Sequence, residues 1–152
     1  MSRTFQVGDL LPPLRHTATT FQLFRYSAVT WNPHRIHFDE THAREEGHSG
    51  LALHSHLRAA LALRCVTEGL GPGWQLAKVA YRLRKPVYAP ADLAYTARVT
   101  AADGDGLTLE LLEENPSGEV GFDGTVRVNK IAGKDPDRVQ VTTAFSTAGA
   151  TT

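Results

Sequence analysis

The sequence predicts an α+β domain in which an antiparallel sheet wraps one long helix, and three features of the chain predict it. The first is "SHLRAALALRCVTEGLGPG", an apolar segment at helical spacing that ends in glycines and a proline. The second is a change of period just after it, from about 3.6 residues to about 2, starting at "WQLAKVAYRLRK". The third is that the alternating segments are joined by short turns, which suit antiparallel neighbours.

The elements follow in order. The opening "MSRTFQVGDLLPPL" lacks the apolar run of a signal peptide, and Pro12 and Pro13 interrupt it. From Arg25 to Glu46 the residues read as turns and short helices. Within that stretch "FDETHAREEG" suits a short helix, with Asp39 or Thr41 as its N-terminal cap and Gly47 at its end. In the long helix Leu57, Ala60, Leu61, Arg64 and Cys65 share one face, and Ala59, Leu63 and Val66 widen it. That much apolar circumference calls for deep burial. Gly69, Gly71, Pro72 and Gly73 terminate the helix.

The first strand alternates Val79, Tyr81 and Leu83 on one side with Lys78, Arg82 and Arg84 on the other. "ADLAYTARVTA", "LTLELLEE" and "EVGFDGTVRVNK" follow, separated by turn signals at 103–106 and 115–118. These elements make one domain over residues 1–132. The Thr-, Ala- and Gly-rich stretch from Gly133 to Thr152 reads as an irregular tail that adds little to the core.

A chain of 152 residues is long enough to bury a core of its own. Its 16 basic and 16 acidic residues cancel, so no overall field draws it to nucleic acid or an anionic membrane. An anionic ligand must therefore meet a local cationic cluster. Cys65 is the one cysteine, which excludes an intrachain disulfide and a cysteine metal centre and reads as a buried structural thiol. No segment approaches the roughly 18 apolar residues of a membrane span. A cytoplasmic protein without nucleic-acid or membrane partners is the expectation.

Six of the seven histidines fall between His34 and His56, in "WNPHRIHFDETHAREEGHSGLALHSHL". His34, His37 and Asp39 have a spacing that could in principle hold zinc, but the run crosses a proline-containing turn, and no metal is expected. His42 and His48 read as surface residues, and His56 is assigned no role.

The order of elements and this central segment resemble the hot-dog fold, and within it the MaoC-like enoyl-CoA hydratases and acyl dehydratases. The resemblance covers roughly Phe5 to Lys130. It includes "FQVGDLLPPL" as the entry segment and "YRLRKPVYAPADL" as the strand–proline–strand passage after the helix. The hydratase motif of that family has an aspartate, four residues and a histidine. "TWNPHRIHFD" matches its end, with His37 on the catalytic histidine and Asp39 on the aspartate two residues later. Asn32 stands where the family has its catalytic aspartate, His34 in place of an asparagine, and Arg35 in place of a proline. The "NPHRIH" form is similar to a branch that includes hydroxyacyl-thioester dehydratases and hydratases of branched dicarboxylic acyl-CoAs.

The resemblance implies a hydro-lyase acting on 2-enoyl thioesters. Such a reaction needs a base for water at C3, a proton for C2, and donors for the thioester oxygen. His37 suits the proton work, because an imidazole titrates near pH ~6.5. Asn32 can orient water but cannot exchange a proton near neutrality. His34 is the candidate second titrating group, and Asp39 caps the next helix or braces His37. In the family a His-Gly pair starts the central helix and its backbone N–H binds the thioester oxygen. Here that pair is His54-Ser55, which makes His54 and Ser55 candidate substrate-binding residues, with Ser55 adding bulk near the acyl chain.

Arg82 and Arg84, with Lys85, suit the phosphates of coenzyme A, although a solvated strand face explains them equally well. Arg35 is a candidate partner for a carboxylate on the acyl group. No cofactor is expected beyond coenzyme A as part of the substrate. Two other functions stay open: a hot-dog thioesterase, and the binding half of a heteromeric hydratase. Hot-dog domains generally pair through their sheets, so a homodimer or a heteromer with a related chain is expected.

Overall fold

The computed structural model describes residues 4–115 and 117–131. The tail expected over 133–152 lies outside the described residues. A five-stranded antiparallel sheet has the order β1 (Leu14–Ala18), β5 (Ala91–Ala102), β6 (Gly106–Glu114), β7 (Val120–Lys130), β3 (Trp74–Leu83). A small second pairing joins β2 (Leu51–Ala52) to β4 (Tyr88–Ala89). The long helix α3 (Ser55–Leu70) packs across the sheet, which is the hot-dog arrangement.

Alternation explains the core. Leu93, Tyr95, Ala97 and Val99 of β5, Leu107, Leu109 and Leu111 of β6, and Phe122, Val126 and Val128 of β7 are buried together. Leu57, Leu61, Ala62, Cys65 and Val66 of α3 meet them. Cys65 is buried, as its apolar surroundings implied, and burial pushes its thiol pKa up. The turn before β6 forms because Asp103 Oδ1 accepts from the N–H groups of Asp105 and Gly106. Arg127 clamps the same carboxylate from β7 at 2.7 and 2.8 Å.

Four local expectations need correction. Arg64 and Ala60 are exposed, and Arg64 pairs with Glu68 one helical turn on; Arg58 takes a place on the buried face instead. The segment read as turns and short helices from Arg25 onward begins inside α1, an 11-residue helix over Thr20–Thr30. Its period was obscured because Phe21, Phe24 and Val29 face solvent while Leu23 and Ser27 face the core. The strand β1 was not foreseen; it is short and mostly polar, and its pairing with β5 is a tertiary contact. Finally, β3 does not divide into a buried and a solvated face. It is one of the sheet's two edges, and Leu76, Val79, Tyr81 and Leu83 are all substantially exposed.

Arg58 makes the fold's most demanding contact. Its guanidinium forks onto Glu113 (Nε to Oε2 3.0 Å) and donates to the carbonyls of Lys85 at 2.9 Å and Gly121 at 2.7 Å. Tyr95 Oη donates to Glu113 Oε2 at 2.8 Å. Both charges are buried, and every polar atom of the pair has a partner, which is the condition for tolerating them there. Gly121 makes the room. A Cβ on it would stand 2.8 Å from Arg58 Nη2 and 2.9 Å from Glu113 Oε1. Gly121→Ala is therefore expected to destabilise the chain by about 1–3 kcal/mol through overpacking, read as a lower midpoint in chemical denaturation.

Candidate active site

The site lies between the end of α1, the loop that follows it, and the start of α3. Helix α1 ends in a Schellman motif: Asn32 N–H donates to Ser27 C=O at 2.9 Å and Trp31 N–H to Ala28 C=O at 3.4 Å. Trp31 occupies the left-handed position of that motif, at φ 55° and ψ 39°, where glycine is usual. A non-glycine residue there carries about 1–2 kcal/mol of strain. The Asn32 side chain turns the loop next, with Oδ1 accepting from His34 N–H at 3.1 Å. That brings the chain into a single 3₁₀ turn, Arg35–His37, and then into the short helix α2 (Glu40–Glu45).

Asp39 caps α2, accepting from His42 N–H at 3.0 Å. This backbone donor, followed by Arg35, holds its carboxyl below the usual carboxylate range. Arg35 donates to Asp39 Oδ2 through Nη2 at 2.6 Å and Nε at 3.1 Å. The carboxylate that Arg35 meets thus belongs to its own turn.

His37 is 7 % exposed. Its Nδ1 lies 2.7 Å from the carbonyl oxygen of Ala52, an acceptor only. Nδ1 therefore carries the proton in the neutral ring, and Nε2 is left with a lone pair. Behind it stands His54, 1 % exposed, its ring stacked on His37 at 3.7 Å between centroids and 21° between planes. His54 is the N-cap residue of α3, so the stack sets His37 against the start of the central helix. Ser27 Oγ bonds His54 Nε2 at 2.8 Å, while His54 Nδ1 has no partner among the described residues.

Burial governs both rings. Desolvation lowers the pKa of His37, against the carbonyl of Ala52, with smaller contributions from His34 and His48. Desolvation first, and then the charge on His37, brings His54 down to about 4. His54 is accordingly neutral near pH 7. A base works in its neutral form, so for a reaction in which His37 is the base kcat/KM is expected to fall on acidification with a midpoint below 6.5, the ordinary imidazole value. Stability has the same sign. The unfolded chain binds these protons from about pH 6.5 downward and the fold does not, so stability is lost as pH falls from there toward the folded values. Urea denaturation at pH 7.5 and at pH 5 measures that loss.

The other sequence-selected residues are placed as follows. The His34 ring stands edge-on to His37 at 5.8 Å, largely exposed, with Nε2 3.7 Å from a Glu46 carboxylate oxygen. Ser55 is the first residue of α3 and is exposed; its N–H belongs to the first turn, which has no intrahelical acceptor. His54, expected to meet substrate, is buried behind His37 instead, because the 3.7 Å stack and the Ser27 bond occupy it. Arg84 is held by Asp123 and Lys85 by Glu119, so the cationic cluster is largely neutralised by β7 and the turn before it. Arg82 lies opposite Asp123 in the register, and its side chain forms no hydrogen bond or ion pair among the described residues.

His48 is not a simple surface residue: its Nδ1 lies 3.2 Å from Tyr88 Oη. His34, His37 and Asp39 do not converge; among the described residues no group of three or more His, Cys, Asp or Glu side chains could hold a metal ion. Ser27 is the site residue that the sequence reading missed. It lies five residues before Asn32 on the inner face of α1, but its partner His54 is 27 residues away.

An open pocket of about 270 Å³ adjoins these residues, lined by Phe24, Ser27, Ala28, Trp31, Asn32, Pro33 and Phe38.

An antiparallel sheet around a central helix defines a hot-dog protein, and a tautomer-fixed histidine stands against the start of that helix. Residues 11–89 match the model of the hydroxyacyl-thioester dehydratase type 2 family, and the chain belongs to that family. It is 33% identical over 107 residues to a mesaconyl-C(4)-CoA hydratase of Chloroflexus aurantiacus, covering 70% of this chain but only 36% of that protein. Among solved structures, an (R)-hydratase from A. caviae involved in PHA biosynthesis superposes with a TM-score of 0.79 at 19% identity. The match covers 85% of this chain and 99% of that one. A chain of the ChsH1–ChsH2 complex from Mycobacterium tuberculosis gives 0.78 at 23% identity, over 84% and 100%. These two likenesses establish the hot-dog fold. Among the described residues no helix is long and apolar enough to cross a membrane.

Proposed function

We propose that the chain catalyses the reversible addition of water to a 2-enoyl thioester, with coenzyme A as the carrier. The observation that carries this reading is the His37 ring, anchored through Nδ1 on Ala52 and stacked on the N-cap residue of α3. A base and a set of helix N-terminal donors are thereby adjacent, as the reaction requires.

In this mechanism Nε2 of His37 takes a proton from water as the oxygen bonds to C3. The C2=C3 electron pair moves toward the thioester oxygen, where N–H groups of the first turn of α3, that of Ser55 first, receive the charge. Collapse of the enolate takes a proton at C2, either from the His37 imidazolium or from His34 through solvent. Asn32, whose Oδ1 is committed to His34 N–H, keeps its NH₂ to orient the water. Arg82 is the cation of its cluster best placed for a coenzyme A phosphate, since Arg84 already binds Asp123.

The edge strand β3, ten residues long with Leu76, Val79, Tyr81 and Leu83 exposed, supports pairing with a second hot-dog unit. That unit is a second copy or a related chain. One observation favours a half-site reading as the alternative: Asn32, which cannot titrate, stands where the resembled hydratases have their catalytic aspartate. The chain spans about a third of the length of the curated relative it matches. Incubating the purified chain with 2-enoyl-CoAs and following the conjugated thioester absorbance tests the proposal. Turnover by the chain alone supports a self-sufficient hydratase. No turnover by a folded protein moves the choice to the half-site, and release of free thiol indicates a thioesterase.

A further inference from the structure

The pocket beside the catalytic loop bears on which acyl group the chain accepts, and the inference rests on the hydratase reading for the thioester itself. Its walls are Phe24, Ala28, Trp31, Pro33 and Phe38. The polar residues lining it are Ser27 and Asn32, and both are engaged: the Ser27 hydroxyl with His54, and Asn32 Oδ1 with His34 N–H. No cation lines it among the described residues. Arg35, three residues past Asn32, is forked onto Asp39. A carboxylate entering this pocket would lose its hydration and gain no countercharge.

Trp31 combines two features that a helix end alone does not call for in one residue. It is the one non-glycine residue with positive φ among the described residues, and the residue is 91 % exposed. Glycine would satisfy the same turn without strain, and a polar residue would suit the exposure better. Strained backbone held beside a reacting loop is characteristic of groups that meet a ligand. Here the large indole stands at the rim of a concave apolar surface whose inner residues, Ser27 and Asn32, belong to the site.

We infer that this pocket receives the apolar end of the acyl group and that Trp31 covers it, so the chain selects apolar acyl thioesters over dicarboxylic ones. This separates it in substrate class from the relative named as a mesaconyl-CoA hydratase, despite their 33% identity.

Calorimetry with unreactive saturated thioesters tests this independently of turnover. Hexanoyl-CoA and 3-phenylpropionyl-CoA are compared with succinyl-CoA and with coenzyme A alone, on the parent, Trp31→Gly and Phe24→Ala. The two apolar thioesters are expected to bind the parent at least about tenfold more tightly than succinyl-CoA. Trp31→Gly is expected to erase that preference while the melting temperature holds or rises, because glycine suits φ 55°. Phe24→Ala is expected to weaken hexanoyl-CoA and leave coenzyme A binding unchanged. Equal or tighter binding of succinyl-CoA overturns the inference. So does a preference that survives both substitutions, including the case in which they alter only the oligomeric state, since a protein partner would then cover this face. Selective binding without hydration of any 2-enoyl-CoA would overturn the hydratase reading and leave the pocket assignment standing.

Discussion

Replacing His37 by alanine is expected to lower turnover of a 2-enoyl-CoA by about 10²–10⁴, the usual range for a positioned general base. The geometry makes this substitution unusually informative. His37 is held by one hydrogen bond, to Ala52, and one stacking partner, His54. Removing it leaves no imidazole at that place: His54 lies behind it, bonded to Ser27 through Nε2 and with Nδ1 buried, and His34 stands 5.8 Å from the lost ring. The fold should survive, since Ala52 keeps its place in the β2–β4 pair.

A second readout separates loss of the base from general damage. The pKa of His54 is held down by burial and then by the charge on His37. In His37→Ala the ring loses both its cover and its charged neighbour, so its titration should move upward toward the ordinary imidazole value. NMR titration of the histidine side chains would record that shift. Undiminished turnover in a folded His37→Ala protein would remove His37 from the mechanism.

The largest expected effect on stability comes from the buried pair. Glu113→Ala is expected to destabilise the domain by about 3–5 kcal/mol, because it strands the Arg58 guanidinium in the core with only two carbonyl acceptors. Tyr95 also loses the acceptor of its hydroxyl. Burial, the largest cause of the raised Tyr95 pKa, persists in the variant and opposes ionisation of its phenol, while Arg58 favours it. The double substitution Arg58→Met with Glu113→Leu should cost much less than the sum of its single changes. Apolar side chains of similar volume need no countercharge. Denaturant titration of the four proteins in the cycle measures the coupling directly. A Glu113→Ala protein within about 1 kcal/mol of the parent would show that solvent reaches Arg58.

Parts of this pair were legible. Glu113 continues the phase of Leu107, Leu109 and Leu111, so alternation alone assigns its carboxylate to the inner face. A buried carboxylate demands a cation, but several arginines qualified, and the reading placed Arg64 inward instead of Arg58. The two positions are six apart on a helix that is apolar most of the way round. Periodicity could not choose between them, and the sheet did, by offering Glu113 and Gly121 to one of them.

The catalytic segment divides in a similar way. His37, and Asp39 as the cap of α2, were readable because both depend on local spacing. The roles of Ser27 and His54 were not, since the bond that joins them spans 27 residues. Arg35 and Arg84 looked available for anions in the sequence, where their carboxylate partners could not be assigned.

By itself the sequence determined the α+β class, the central helix, the four long strands and the lone buried thiol, and it singled out His37 as the candidate base. Each follows from periodicity, turn chemistry or a short motif, which act within a few residues. Only the tertiary structure decided that β3 is an exposed edge, that His54 supports His37 from behind, and that Arg58 enters the core. It also decided that Trp31 and Phe24 rim an apolar pocket. Those outcomes depend on which distant groups meet once water is excluded. Burial and pairing of charge are settled there, between residues whose separation along the chain carries no signal.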